Sequence, residues 1–350
     1  MTPRPMTVLM SFPPPRPTSN PYNSLLMDAV AEQPGVTVLT FSWRRLLFGD
    51  YDLFHVHWPE ILVDGRSWWK KKVRQAFFAA ALLRLRATRR PLVRTLHNLE
   101  LPSGISATER VLLRWAERWT TWWIVINPTE EIPEGRPFDV ALHGHYRTWY
   151  AKHPAHRPVP GRLGFFGMIR RYKNAVGLVT AFRRTDSPDL SLKVCGKPST
   201  EELAAEITRA ADGDPRITLV LDFLDEAALV AQVTDSELVV LPYPEMHNSG
   251  SVFAALSLDR PVLVPDNEVN RRLADEVGHE WVLMYSGELS GEHLEQGIER
   301  VRSTPAGTRP DLAQRDWDVV AAHHVRAYRH ALSRSRRRPS REGSRPAAHA

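Results

Sequence analysis

Asn248-Ser-Gly-Ser251 stands between an apolar strand signal at 238–241 and a helical run that leads into a second apolar strand at 261–265, with Tyr243 and Glu245 on the approach. A helix starting there leaves its first backbone N–H groups without partners and points the positive end of its dipole at whatever lies above the strands. Gly250 lets a ligand come close to the backbone, so an anion such as a diphosphate is the natural occupant. The same residues also make an ordinary Asn or Ser cap, and the loop alone does not choose between the two uses.

Other groups with chemical capacity are spread along the chain. Gly167 opens a turn that carries Arg170, Arg171 and Lys173, cations that are either solvated or turned toward an anion. His55 and His57 alternate along a strand signal and share one face, which permits metal binding, although no third ligand has a convincing spacing. Glu60 ends that strand, where a carboxylate can take a proton from a hydroxyl or simply pack beside Trp58-Pro59. His97 follows another strand directly, and a glycine separates His143 from His145.

The elements that position these groups alternate between strand and helix in two rounds, the signature of parallel α/β sheets. The first round runs through strands at 7–12, 36–41, 53–57, 91–96 and 122–126, with helices at 23–33, in the basic stretch 68–86, and at 107–119. A proline- and histidine-rich segment, 146–160, reads as a linker. The second round has strands at 163–166, 190–194, 217–221 and 238–241 and helices at 175–183, 200–212 and 226–233. A final helix at 317–331 is long enough to reach back to the first half. The expected organisation is a first domain at 1–158, a second at 159–315, a crossing helix at 316–333 and a disordered basic tail at 334–350. Ligands in such sheets collect at the carboxyl ends of the strands.

Composition excludes several classes. With 350 residues, 43% hydrophobic and 25% charged, the chain can fill two ordinary cores. Its single cysteine, Cys195, rules out an internal disulfide and thiolate metal clusters. No run of about 18 apolar residues and no signal-peptide pattern is present, so a cytoplasmic setting is expected. The net charge of +6 is concentrated in the tail and between Gly65 and Asn98, where about ten Lys or Arg residues meet no acid. On a helix, Trp69, Val73, Phe77, Ala80 and Leu83 form an apolar surface flanked by cations, suited to packing on the sheet or to an anionic membrane surface at the inner membrane face. A nucleic-acid partner would also explain the charge, but no helix-turn-helix, zinc or RNA-binding signature accompanies it.

Several motifs carry a resemblance. Phe166-Gly-Met-Ile-Arg-Arg-Tyr-Lys-Asn174, Leu192-Lys-Val-Cys-Gly-Lys197 and Ser249-Gly-Ser251 with Ala255-Leu-Ser-Leu-Asp-Arg-Pro-Val262 resemble the donor half of GT-B glycosyltransferases. His55-Val-His-Trp-Pro-Glu60, Thr95-Leu-His-Asn98 and His143-Gly-His-Tyr-Arg-Thr-Trp-Tyr150 resemble bacterial transferases of exopolysaccharide or glycolipid sugars, family 1 and family 4-like, some of them GDP-mannose-dependent. The resemblance implies two Rossmann-like domains facing a cleft and transfer of a sugar from a nucleotide-diphosphate donor to a saccharide or lipid-linked acceptor. The nucleotide sugar is a substrate, and no cofactor or metal is implied.

Roles follow from the resemblance residue by residue. Lys173 matches the basic position that stabilises the leaving diphosphate, beside Arg170 and Arg171, while Met168 stands where an arginine is usual. Gly167, Gly196, Lys197, Tyr243, Glu245, Asn248, Ser249, Gly250 and Ser251 line the donor side. The second of two glutamates usual near the donor loop is replaced by Ala254, so Glu245 or Asn248 is left to bind the ribose. His97 matches the histidine that faces the transferred sugar; Glu60 is the base if configuration inverts, and His57 and His145 are acceptor-side contacts. The same architecture also carries nucleotide-sugar epimerases, which convert the free donor with no acceptor.

Overall fold

A computed structural model describes residues 5–15, 20–65, 67–97, 104–128, 132, 135–246, 249–305 and 307–337. Two compact units result, Met1–Leu142 with Trp317–Ala350, and His143–Asp316. The first begins with β1 (Met6–Met10), α1 (Pro21–Ala31), β2 (Val36–Leu39), α2 (Trp43–Phe48), β3 (Leu53–Val56), α3 (Pro59–Val63) and α4 (Trp68–Ala87). It continues through β4 (Leu92–Leu96), α5 (Ala107–Trp119), β5 (Trp122–Val125) and β6 (Phe138–Val140). All neighbouring strands are parallel, in the order β2-β1-β3-β4-β5-β6.

Binary patterning explains which faces are buried. In α5 a capping box between Ser106 and Glu109 satisfies the first N–H groups, and Leu112, Leu113 and Ala116 turn inward. They meet Phe78, Leu82 and Leu85 of α4 and Phe54 and Val56 of β3 in one apolar cluster. The opposite face of α4 remains outside: Trp68 is 78% exposed, Trp69 54% and Leu83 55%. Lys71 reaches 2.7 Å to the buried Glu109 carboxylate, whereas Lys70 lies over the Trp69 ring.

The second unit holds α6 (Arg147–Tyr150), β7 (Arg162–Phe166), α7 (Ala175–Phe182), β8 (Ser191–Cys195), α8 (Glu201–Ala211), β9 (Ile217–Val220) and α9 (Glu226–Asp235). Then come β10 (Leu238–Val240), α10 (Gly250–Ser257), β11 (Val262–Pro265), α11 (Glu268–Val277), β12 (Val282–Tyr285) and α12 (Gly291–Ser303). Its parallel order is β12-β11-β10-β7-β8-β9. The short β6, the pieces α2 and α3, and the run α11-β12-α12 had no counterpart in the sequence reading. The segment expected as a linker packs within this unit: the Tyr146 N–H donates to Ser257 Oγ at 2.8 Å and the Trp149 indole to Glu226 at 2.9 Å.

The last helix, α13 (Trp317–Arg337), packs on α1 and beside β4, β5 and β6 of the first unit. Residues 334–337, expected in a disordered tail, continue this helix, and 338–350 lie outside the described residues. Its Tyr328 is fully buried and its hydroxyl lies 2.7 Å from His55 Nδ1. Tyr328→Phe leaves that nitrogen without its partner and should destabilise the first unit by about 1–3 kcal/mol, seen as a lower urea midpoint at unchanged slope.

Candidate active site

In each sheet the strand order reverses once, between β1 and β3 in the first and between β7 and β10 in the second. Connections leave in opposite directions at such a point and open a crevice at the carboxyl ends of the two strands. Gly167 and Tyr243 follow the strands at the second of these places; His57 follows a strand of the first, and His97 the strand beside it.

In the second unit, Gly167 follows β7 with φ +97, a conformation that favours glycine. A Cβ on Gly167 would stand 3.9 Å from both Lys173 Nζ and Ser251 Oγ, so the missing side chain leaves the space between them. Gly196, after β8, backs this turn, since a Cβ there would collide with the Gly167 carbonyl oxygen. The turn is further pinned where the Ile169 N–H donates to the Lys197 carbonyl at 3.0 Å. Lys197 thus contributes backbone, with an exposed side chain. Asn174, with φ +54, ends the turn and starts α7.

Lys173 is half-buried, its ammonium 5.1 Å from the centre of the buried Tyr243 ring. Burial, then the nearby Arg170 charge, lowers the ammonium to about 8, because both penalise a cation. The two arginines divide: Arg171 is held by both Glu206 carboxylate oxygens at 2.8 and 3.0 Å, leaving Arg170 as the one whose charge reaches Lys173.

Ser251 belongs to the first turn of α10, capped by Ser249 without a side-chain hydrogen bond. The Ser249 side chain thus leaves those first N–H groups at the helix's positive end uncapped. A Cβ on Gly250 would lie 3.6 Å from the Tyr146 hydroxyl and 3.9 Å from His143 Nε2. His143 stacks on Phe253 of α10 at 4.9 Å, and its Nδ1–H donates to the Gly144 carbonyl at 2.8 Å. Burial pushes His143 down to about 4, so it is neutral. The His143-Gly-His-Tyr146 run carries the resemblance, but the placing of His143 and Tyr146 beside Gly250, more than a hundred residues away, has no local signal in the sequence. Ala254 is buried in α10, Glu245 is exposed, and Asn248 lies outside the described residues. His145 is also in the second unit, with Nε2 2.5 Å from Asp316 and Nδ1 accepting from the Arg147 N–H.

In the first unit, His57 follows β3 and His97 follows β4. The His57 N–H donates to Ser11 Oγ beyond β1, and its Nδ1 lies 2.9 Å from His97 Nε2. His97 stacks on Trp58 at 4.1 Å and receives the edge of Tyr22 at 5.4 Å. His55 is enclosed: Nε2 meets Thr95 Oγ1 at 2.8 Å and Nδ1 meets the Tyr328 hydroxyl, so hydrogen bonds occupy both nitrogens. Burial, foremost, holds His55 and His57 well below the ordinary histidine range. Glu60 is half-buried in the first turn of α3, and its charge supports that of Arg94, a buried arginine over the Trp123 ring that the sequence reading missed.

Chemically, the second unit offers a cation, a helix terminus and a bare backbone turn for an anion. The first offers a carboxylate and an aromatic-walled imidazole for neutral hydroxyls. No family model matches the chain. Two proteins of Xanthomonas campestris pv. campestris, each called a GDP-mannose:glycolipid 4-beta-D-mannosyltransferase, are 42% identical over 330 residues, 94% of this chain and 93% of theirs. Among solved structures, Anabaena Alr3699/HepE in complex with UDP and glucose is similar with a TM-score of 0.57 and 15% identity, covering 95% of this chain and 97% of that one. AviGT4, a glycosyltransferase involved in avilamycin A biosynthesis, is similar at TM-score 0.56 and 14% identity, covering 94% and 98%. Two parallel sheets and the returning C-terminal helix, expected from the sequence, are the GT-B fold of these structures.

The Lys173 ammonium is charged below about pH 8 and loses its charge above it, and only the charged form would attract an anion. Affinity for a nucleoside diphosphate should therefore fall by up to about tenfold per pH unit above that point. Titration calorimetry of Lys173→Met should show weaker binding at neutral pH and no such slope; a slope that survives assigns it to another group.

Proposed function

The chain belongs to the glycosyltransferase family of the Xanthomonas GDP-mannose:glycolipid 4-beta-D-mannosyltransferases, built on the GT-B fold, and from that membership we propose that it transfers mannose from GDP-mannose to a saccharide carried on a lipid. The observation that carries this reading is the convergence of Gly167, Lys173, Ser251 and the start of α10 at the switch point of the second sheet. Breaking a sugar–diphosphate bond concentrates negative charge on the leaving group, and preorganised donors with a dehydrated cation stabilise that charge. Arg170 adds to the field, and Glu245 or Asn248 serves the ribose in place of the carboxylate that Ala254 lacks.

The stereochemistry narrows the rest. The sugar in GDP-mannose is α-linked, so a β-mannoside, as named for the relatives, requires one displacement with inversion. A single displacement needs a base for the attacking hydroxyl, and Glu60 is assigned that role, with His97 directed to a sugar hydroxyl or to developing charge.

No helix among the described residues is long and apolar enough to cross a membrane. The exposed face of α4 suits a lipid-borne acceptor: Trp68, Trp69, Val73 and Phe77 project beside Lys70 and Lys72, apolar rings for the acyl boundary and cations for anionic headgroups.

Incubation with labelled GDP-mannose and a bacterial lipid extract should give a mannosylated glycolipid and GDP; epimerised free donor in the absence of acceptor would overturn the reading. Glu60→Gln should lower kcat about a hundredfold or more with little change in GDP affinity. A Trp68→Ser, Trp69→Ser variant should bind vesicles containing anionic lipid about tenfold less tightly while keeping its activity on a short water-soluble acceptor.

A further inference from the structure

His97 stacks on the Trp58 ring, meets the Tyr22 ring edge-on, and shares a hydrogen bond between its Nε2 and His57 Nδ1. A neutral imidazole carries one proton, so only one of the two rings can donate in that bond, and the tautomer of each follows from the other.

The surroundings of His57 decide which. The ring is 2% exposed, lies 4.3 Å from Phe12 and 4.1 Å from His55, and its Nε2 is buried with no hydrogen-bond partner. His55 cannot take a proton from it, because Thr95 and Tyr328 occupy both its nitrogens. Nor does His324 of α13: its Nδ1 serves the Val320 carbonyl, and its own Nε2 is likewise buried and unbonded. A proton on His57 Nε2 would thus be a buried N–H with no acceptor, the rarer and costlier kind of orphan, whereas a bare Nε2 is only an unused lone pair. The proton of His57 therefore sits on Nδ1 and is donated to His97 Nε2, which must be bare.

We propose that His57 is a positioning residue that fixes His97 as a neutral imidazole protonated on Nδ1, so that His97 serves the transfer as a hydrogen-bond donor and not as its base. This rests on the mannosyltransferase reading and sharpens it. For His97 to accept a proton at Nε2, His57 would have to move its own proton onto the enclosed Nε2, and nothing there receives it. Glu60 is then left as the base of the first unit. Trp58 and Tyr22 hold the ring plane while His57 sets its protonation, and none of the three needs to touch substrate.

Long-range 1H–15N spectra of the ligand-free full chain carrying 15N-histidine, with His97 assigned by its loss in His97→Gln, read the tautomer at neutral pH. Wild type should show a protonated Nδ1 and a bare Nε2 at His97. His57→Asn, whose amide N–H stands near the place of Nδ1, should keep that pattern, and His57→Phe should give a mixture or the opposite tautomer. In mannosyl transfer, His57→Phe should lower kcat roughly tenfold to a hundredfold with the donor KM little changed, and His57→Asn should recover most of the loss. A wild-type His97 protonated on Nε2 or on both nitrogens overturns the proposal, even if neither variant folds, and so do equal losses in the two variants. Because the spectrum needs no turnover, the expected tautomer without any mannosyl transfer would overturn the functional reading instead.

Discussion

A parallel sheet pairs its backbone along every strand and leaves it open at the carboxyl ends, and only where the strand order reverses do the neighbouring connections part. Nearly every group considered for chemistry depends on that constraint. Ser11 and His57 continue from β1 and β3, the strands between which the first sheet reverses, and His97 extends from the adjoining β4. Gly167 and Tyr243 continue from β7 and β10, the corresponding pair in the second sheet. Residues far apart in the chain become neighbours because the wiring, and not their spacing, brings the strand ends together.

The two units use the same opening in opposite ways. In the second, glycines remove side chains, a helix begins at a serine whose side chain does not cap it, and a cation is kept partly out of water at an energetic cost visible in its lowered pKa. An anion placed there would offset that cost. In the first, aromatic rings and buried imidazoles build the walls, and His57 and His97 are joined by a hydrogen bond. Such a surface suits neutral hydroxyls better than anions.

Much of this was legible in the sequence because parallel sheets advertise themselves. Continuous apolar runs such as 238–241 and 122–126 mark strands buried on both faces, and Ser106 with Glu109 marks the start of α5. The start of α10 was readable for the same local reason, since serine and glycine commonly open a helix. What stayed hidden was non-local or weakly patterned. β6 is three residues long and half exposed, so it carries no periodic signal. The division of labour between Arg170 and Arg171 depends on Glu206, in another helix. His143 and His145 are equivalent in sequence, yet one faces the start of α10 and the other Asp316, a difference set by packing alone.

The returning helix has a consequence for biosynthesis. Tyr328 and His324, which complete the buried surroundings of His55, come from the far end of a chain whose first strands were made some three hundred residues earlier. The second unit, His143–Asp316, is one uninterrupted segment and can close as soon as it leaves the ribosome. The first must wait, with His55 lacking its tyrosine and α1 lacking its partner helix, until α13 has left the ribosome. Translation therefore assembles the protein out of order: the unit that starts first is finished last, and truncation near the C-terminus would strike the N-terminal unit.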